Sequence, residues 1–168
     1  MKFIVEYRNF TQQHLLTYIP EECSFYMGKI MGKIDVELIL NKISLAVSKN
    51  EIVHVSGFCG LDKSMKTNYK IPKFKKGVLK VEDNLKYGFA YGINDEDWPV
   101  YINIETGWIC IGDPLKSEKA VEFINDCVAV LEGDKLVALW LKPKSLPYEL
   151  YSHTENLSSC SHWAMIGH

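Results

Sequence analysis

Three consecutive carboxylates precede a tryptophan in this chain, at Asp95, Glu96, Asp97 and Trp98. Residues of these types can attract a basic partner, and a tryptophan beside them can anchor a protein interface. A plain charged loop in front of a strand explains the same residues without any partner. We therefore predict these four residues as a partner-binding site, with the charged loop as the competing interpretation.

Residues 63–80 form the opposite kind of segment, with seven lysines and no acidic residue. Tyr69 and Phe74 lie between the lysines, and this mixture can contact phosphates and stack on bases. Pro72 and Gly77 interrupt regular structure, so we expect an exposed loop or an irregular edge strand. The alternative interpretation is a solvated basic loop. If the segment binds nucleic acid, the contacting residues are Lys70, Lys73, Lys75 and Lys76.

Metal-ligating residue types cluster only near the C-terminus. Thiolate and imidazole groups both suit zinc, but their spacing here matches no familiar zinc module. The cluster consists of His153, Cys160, His162 and His168. We predict no metal site and no cofactor, and a small metal-dependent hydrolase that uses these residues is kept as a minor alternative.

Candidate catalytic residues are equally isolated. His54 falls in a run of β-forming residues, where a hydrogen-bonded sheet histidine is the simpler interpretation than a catalytic base. Cys59 lies between two glycines, but a nucleophile also needs a base and an oxyanion site, and the sequence indicates neither. No nucleophile-elbow, phosphate-loop, dinucleotide-binding or HExxH motif occurs. We therefore predict no catalytic residues and a protein that is not an enzyme.

Size and composition indicate one ordinary globular domain. The chain has 168 residues, 47% of them hydrophobic and 24% charged, with a net charge of −2. The five cysteines are scattered without a CxxC pair, which predicts reduced thiols in a cytosol. The N-terminal apolar run is too short for a signal-peptide core, and no later run could span a membrane. A cytoplasmic location follows as an expectation.

Hydrophobic periodicity predicts mainly antiparallel strands. Residues 34–40 alternate between apolar and polar side chains, and residues 43–47 continue that period before a hairpin to residues 52–58. Glu105, Thr106 and Gly107 suit a hairpin loop, while residues 127–131 and 136–141 are apolar on both faces, as interior strands are. Residues 2–7 and 87–91 are weaker strand candidates.

Helices are predicted in smaller number. Thr11 suits an N-cap, and Pro20 limits the helix that follows it to about two turns. Asp113 and Pro114 could start another helix through residues 120–127, but a strand over residues 120–124 fits equally well. The predicted fold class is α+β, a single domain over residues 1–168 dominated by a mostly antiparallel sheet with one to three short helices. Residues 148–168 lack a clear period and form an irregular C-terminal segment, which either wraps the surface or contains a short helix.

Two strand-rich segments resemble those of a known class of protein. VYINIETGWICIGDP at residues 100–114 and KAVEFINDCVAVLEGDKLVALWLKP at residues 119–143 look like small bacterial immunity proteins encoded beside polymorphic toxins, including those of contact-dependent growth inhibition systems. The resemblance covers about a quarter of the chain and includes no functional motif. It implies a cytosolic protein that binds one cognate toxin domain, often a nuclease, and occludes its active site without chemistry of its own.

Our leading hypothesis is therefore a non-catalytic binding protein that neutralises a cognate toxin. The expected partner is the toxin domain, and no membrane is expected to take part. A nucleic-acid-binding module that uses the lysines of residues 63–80 is the principal alternative. The two differ in salt dependence, because phosphate contacts weaken steeply as salt rises.

Overall fold

The structure, a computed structural model, describes residues 1–9, 14–58, 61 and 64–146. These residues form fifteen β-strands, and no α-helix occurs within the described ranges. The strands are β1 (Phe3–Glu6), β2 (Thr17–Ile19), β3 (Ser24–Tyr26), β4 (Val36–Leu40), β5 (Ile43–Ser48), β6 (Glu51–Phe58), β7 (Met65–Lys66), β8 (Lys75–Lys76), β9 (Val78–Val81), β10 (Ala90–Gly92), β11 (Val100–Asn103), β12 (Trp108–Gly112), β13 (Lys119–Ile124), β14 (Cys127–Glu132) and β15 (Lys135–Leu141). The expected α+β class with one to three helices is therefore wrong, and the protein is nearly all β.

The strands form two curled, mixed sheets. The first has the order β1-β9-β6-β5-β4-β10, with β3 paired to the far end of β6 and β2 paired to β3. The second has the order β7-β11-β12-β15-β14-β13-β8. Neighbours pair antiparallel except at three edges, where β10, β7 and β8 run parallel to β4, β11 and β13. The first sheet is built by the N-terminal half of the chain, joined by β9 and β10.

One hydrophobic cluster takes side chains from both sheets. Leu38 and Leu45 contribute to it from the first sheet, and Ile109, Ala129 and Leu139 contribute from the second. All five are fully buried, as expected for residues that alternate towards a shared interior. A smaller cluster covers the opposite face of the second sheet and contains Trp108, Cys110, Ala120, Val128, Val130, Ala138 and Trp140. The strands β14 and β15 are thus apolar on both faces, as predicted.

Both predicted helices are replaced by extended chain where the structure describes them. Thr17–Ile19 is the strand β2, which pairs with β3 and forms a bridge from Thr17 to Lys144. Thr, Tyr and Ile favour β-strands, and the pairing of β2 with β3 prevails over the helix that the capping signal at Thr11 predicted. Thr11 itself lies outside the described residues. Lys119–Ile124 is the strand β13, so the strand alternative holds and the helical alternative is wrong.

The hairpin predictions are confirmed. Lys49 and Asn50 both have positive φ in the β5–β6 turn, as a type I′ hairpin requires. Gly107 has a φ of 81° in the loop between β11 and β12, and Gly133 has a φ of 64° between β14 and β15. The periodicity did not separate β4 from β5, which are joined by a tight turn at Asn41 and Lys42.

The lysine-rich segment is a strap across the second sheet rather than a free loop. Residues 67–74, here called the strap, connect β7 at one edge of the sheet to β8 at the other, past five intervening strands. Six strand spacings of about 4.8 Å make roughly 29 Å. Nine residues of extended chain span about 30 Å. The strap must therefore run nearly straight, and Tyr69 and Ile71 pack on the smaller hydrophobic cluster.

Candidate functional site

The predicted acidic run is an exposed loop that asparagine side chains hold in place. Asp95, Glu96 and Asp97 are exposed, and Trp98 is half-buried. The Nδ2 of Asn94 donates to the backbone oxygen of Glu96 at 2.7 Å, which closes the loop on itself. The loop therefore presents three carboxylates on a fixed backbone.

Asn41 is the residue that attaches this loop to the first sheet. Its Oδ1 accepts hydrogen bonds from the backbone nitrogen of Trp98 at 2.9 Å and from Nδ2 of Asn94 at 2.8 Å. Its Nδ2 donates to the backbone oxygen of Trp98 at 3.0 Å, and its backbone nitrogen donates to Oδ1 of Asn94 at 3.2 Å. Both ends of the acidic loop are thus tied to one side chain.

Asn41 can play this part because it lies in a hairpin turn. Its φ is 53°, in the left-handed region that asparagine tolerates better than most residues. The sequence interpretation placed Asn41 on the polar face of a strand and so missed its role. The pair Asn41-Lys42 between two alternating apolar runs was the available signal.

An open groove of about 530 Å³ lies beside Trp98. Trp98, Pro99 and Tyr101 form one part of its lining, and Leu136 and Val137 of β15 form another. The remaining lining residues follow β12 and are Gly112, Asp113, Pro114 and Lys116. The groove thus joins an apolar surface to the acidic loop through Trp98.

A β-bulge shapes the floor of this groove. The register between β14 and β15 shifts between Val130 and Leu131, so Val137 is left as the extra residue. The carbonyl oxygen of Val137 accepts a hydrogen bond from the backbone nitrogen of Asp113 at 3.0 Å. A Cβ on Gly112 would lie 2.4 Å from that oxygen and 3.0 Å from Trp98, so only glycine fits there. Bulges commonly redirect side chains beside binding sites.

The groove lining contains one carboxylate, Asp113, and one lysine, Lys116. Lys116 forms an ion pair with Glu132 at 2.5 Å, and the hydrogen bond to Glu132, followed by the charges of Glu132, Asp113 and Glu118, raises the pKa of Lys116. Because that lysine already has a carboxylate partner, it offsets little of the negative charge of Asp113 and the acidic loop. A basic surface is the complement that this arrangement favours.

The aromatic rings of the strap contact rings of the second sheet. Tyr69 contacts Tyr101 edge to face at 5.4 Å between ring centroids, and Phe74 contacts Trp108 at 6.4 Å. Tyr69 is half-buried and Phe74 is exposed, so the segment is exposed and irregular as predicted, with one of its two rings packed on the sheet. Lys70, Lys73, Lys75 and Lys76 are exposed.

Cys110, Cys127 and His54 are all buried. Burial, followed by the charge of Asp113, raises the pKa of the Cys110 thiol, and burial, followed by the charges of Asp126 and Glu122, raises the pKa of the Cys127 thiol. His54 is 5% exposed, and its Nε2 lies 3.0 Å from the backbone oxygen of Gly28. Its Nδ1 has no hydrogen-bond partner within the described part of the chain. The simpler interpretation was a solvent-facing or hydrogen-bonded sheet histidine, and the structure shows the hydrogen-bonded form in a buried position.

One cysteine contradicts the expectation of reduced thiols. Cys23 is disulfide-bonded, whereas Cys110 and Cys127 are free. The prediction that all five cysteines are reduced is wrong for Cys23.

Three further sequence predictions concern a metal site, the C-terminal segment and membrane-spanning runs. Among the described residues, no group of three or more His, Cys, Asp or Glu side chains is placed to hold a metal ion. The histidine and cysteine cluster at residues 153–168 lies outside them, as does the whole irregular segment at residues 148–168. Within the described ranges, no helix has the length and apolar character needed to cross a membrane.

Comparison with known proteins does not assign a function, so the functional proposal rests on the geometry of the structure. No protein-family model matches the chain, and no curated protein matches it.

Proposed function

We propose that this protein is a non-catalytic binding protein that neutralises a cognate toxin domain, in the manner of immunity proteins of contact-dependent growth inhibition systems. The observation that carries the proposal is the open groove lined by Trp98, the residue that directly follows the acidic loop in the chain. An apolar anchor next to fixed carboxylates suits the basic surface with which a nuclease binds its substrate. Covering that surface blocks the toxin without any reaction in this protein.

The fixed backbone of the loop supports this proposal. Asn41 and Asn94 hold the loop by hydrogen bonds of 2.7 to 3.2 Å, so little conformational freedom is lost when a partner binds. A loop that is only solvated does not require a side chain that forms hydrogen bonds with both of its ends.

The test is co-expression with the product of the neighbouring gene, followed by affinity capture and a growth assay. We expect a stable complex and protection from growth inhibition, and we expect Trp98→Ala to weaken both. Lys144→Ala, an exposed position away from the groove, is the matched control. Absence of a complex together with absence of protection would overturn the proposal.

A cytoplasmic location is part of this proposal, and the disulfide of Cys23 counts against it because disulfides persist mainly in oxidising compartments. Alkylation of free thiols in a denaturing lysis buffer, which unfolds the protein and removes the protection by burial, followed by mass spectrometry, separates the two cases. Alkylated Cys23 in the producing cell supports the cytoplasmic location, and protected Cys23 places the protein in an oxidising compartment.

The second candidate function is nucleic-acid binding by the strap and its flanking lysines. It is favoured by the exposed Lys70 and Lys73, which lie on a strap whose inner face is packed, and by the exposed Lys75 in the adjoining strand β8. Its affinity must fall steeply with salt. Equal retention of wild-type protein and Lys70→Glu/Lys73→Glu on a nucleic-acid column at low salt removes this candidate.

A further inference from the structure

Among the described residues, no strand pairs with the outer side of the edge strand β10. The backbone nitrogen of Glu37 donates to Phe89, and that of Ile93 donates to Ile39, so the carbonyl of Phe89 and the N–H of Ile93 face β4. Backbone groups alternate in direction along a strand. The N–H and C=O groups of Ala90 and Gly92 therefore face outwards, and β10 is the last strand of its sheet.

This open edge extends beyond the three residues of β10. Gly88 donates to the backbone oxygen of Asp35 at 2.7 Å, and Ile93 donates to Ile39 at 2.8 Å. The chain thus runs beside β4 from residue 88 to residue 93, which is long enough to pair with a short extended segment. Ala90 and Gly92 are exposed and have no bulky side chain.

The surroundings of the edge are aromatic and acidic. Tyr87 is 71% exposed and Phe89 is 59% exposed, which is unusual for such large rings. Residues 82–97 contain five carboxylates and one lysine. Lys33, from the neighbouring segment, lies over one face of the Tyr87 ring at 5.6 Å from its centroid, so a cation of this chain already contacts that ring.

We propose that β10 takes up an extended, basic segment of a partner protein as an additional strand. Backbone hydrogen bonds to Ala90 and Gly92 supply the pairing, and the acidic loop that follows at residues 95–97 contacts the lysine or arginine side chains of the segment. This inference rests on the proposed function and specifies how the same acidic loop recognises a partner. It adds the β10 edge to the groove beside Trp98.

A peptide of alternating lysine and valine is the probe, and its affinity is measured by fluorescence anisotropy. The same peptide with alternate backbone nitrogens methylated keeps its charge but loses one row of N–H donors. We expect the methylated peptide to bind on the order of tenfold more weakly. Equal binding of the two peptides, or no binding of either, would contradict strand addition.

Variants at Gly92 give a second, independent test. Gly92→Pro removes an outward N–H, and an edge strand whose N–H faces solvent accepts proline. Gly92→Ala keeps the N–H, and its Cβ would lie 3.6 Å from the nearest atom, the backbone oxygen of Asn94. We expect Gly92→Pro to weaken peptide binding about tenfold and Gly92→Ala to leave it unchanged. Weaker peptide binding in both variants, or in neither variant, overturns the inference.

The same variants distinguish this inference from the proposed function. If Trp98→Ala abolishes binding of the neighbouring gene's product and Gly92→Pro does not, the proposed function stands and strand addition fails. If Gly92→Pro abolishes a self-association of the wild-type protein, the edge takes a second copy of the chain instead of a basic partner, which also overturns the inference.

Discussion

At the scale of single residues, Asn41 shows how one side chain can set the geometry of a binding loop. Its amide makes hydrogen bonds with Trp98 and Asn94, and its own backbone adopts a turn conformation that few residues accept. The acidic run could be found from the sequence because its charges are consecutive. Asn41 could not be linked to it, because the two are separated by more than fifty residues and only the folded sheet brings them together.

Substitutions at Asn41 separate the turn from the hydrogen bonds. Asn41→Gly keeps the positive φ and loses the amide, so we expect a destabilisation of about 1–3 kcal/mol and weaker partner binding. Asn41→Asp keeps the acceptor for Trp98 and loses only the donor, so its effect should be smaller. Chemical denaturation and calorimetric titration measure the two effects. Full partner affinity in Asn41→Gly would show that the network does not position the loop.

The buried thiols of Cys110 and Cys127 should be inert in the native protein. Burial raises the pKa of both, so the neutral thiol persists above the range in which a free cysteine ionises. Folding therefore favours the protonated thiols, and this contribution is complete below the unfolded pKa and declines as the pH rises above it. We expect no alkylation of either residue at neutral pH until the protein unfolds. Peptide mapping after iodoacetamide treatment checks this, and native alkylation would refute the burial argument.

At the scale of elements, the strap shows why the sequence predicted only part of the structure of the lysine-rich segment. Its charges and breakers predicted an exposed, irregular segment, and its lysines are indeed exposed. The inward position of Tyr69 and Ile71 depends on an apolar outer face of the second sheet, which is assembled from strands distant in sequence. Local pattern cannot reveal such a face.

The strap should contribute to stability through its apolar side chains alone. Ile71→Ala removes a half-buried side chain from the smaller cluster, and we expect a loss of about 1–3 kcal/mol. Lys70→Ala and Lys73→Ala, its exposed neighbours, should each change stability by less than about 0.5 kcal/mol. Thermal unfolding of the three variants measures this contrast. Equal stability of all three would mean that the strap does not pack on the sheet.

Gly77 marks the point where the chain passes from the second sheet to the first. A Cβ there would lie 2.7 Å from the backbone oxygen of Glu6 and 2.8 Å from Cγ2 of Val121. Gly77→Ala should therefore destabilise the protein by about 1–3 kcal/mol through overpacking. Gly92→Ala, where the space is open, is the control. A neutral Gly77→Ala would show that β1 and β13 separate easily.

At the scale of the whole molecule, the strands were more predictable than their arrangement. Alternation predicted extended chain over the residues of β4 and β5, without separating these two strands, and a hairpin to β6. Two-sided apolar runs identified β14 and β15, because burial on one or both faces leaves a direct pattern in sequence. The helices were wrongly expected because capping residues such as Thr11 act locally, whereas strand pairing is decided by neighbours far along the chain. The groove could not be predicted, because it depends on the β-bulge at Val137, which no sequence pattern indicates.

Opposite charges occupy different parts of this molecule despite its near-neutral total. The acidic loop directly precedes Trp98, which lines the groove, and Lys70 and Lys73 lie on the strap. Because charge complementarity mainly steers association, the two regions should respond oppositely to a basic partner. Removing the negative charges of the acidic loop should slow association with a basic partner. Removing the lysine charges of the strap should leave the association rate unchanged or raise it.

Binding of the neighbouring gene's product, measured by stopped-flow and calorimetry at low and high salt, tests the central claim most directly. We compare the wild type with Asp95→Asn/Glu96→Gln/Asp97→Asn and with Lys70→Gln/Lys73→Gln. The account predicts that the loop variant binds at least about tenfold more weakly and that its association rate loses most of its salt dependence. Undiminished affinity in the loop variant, with loss of binding in the strap variant, would contradict it.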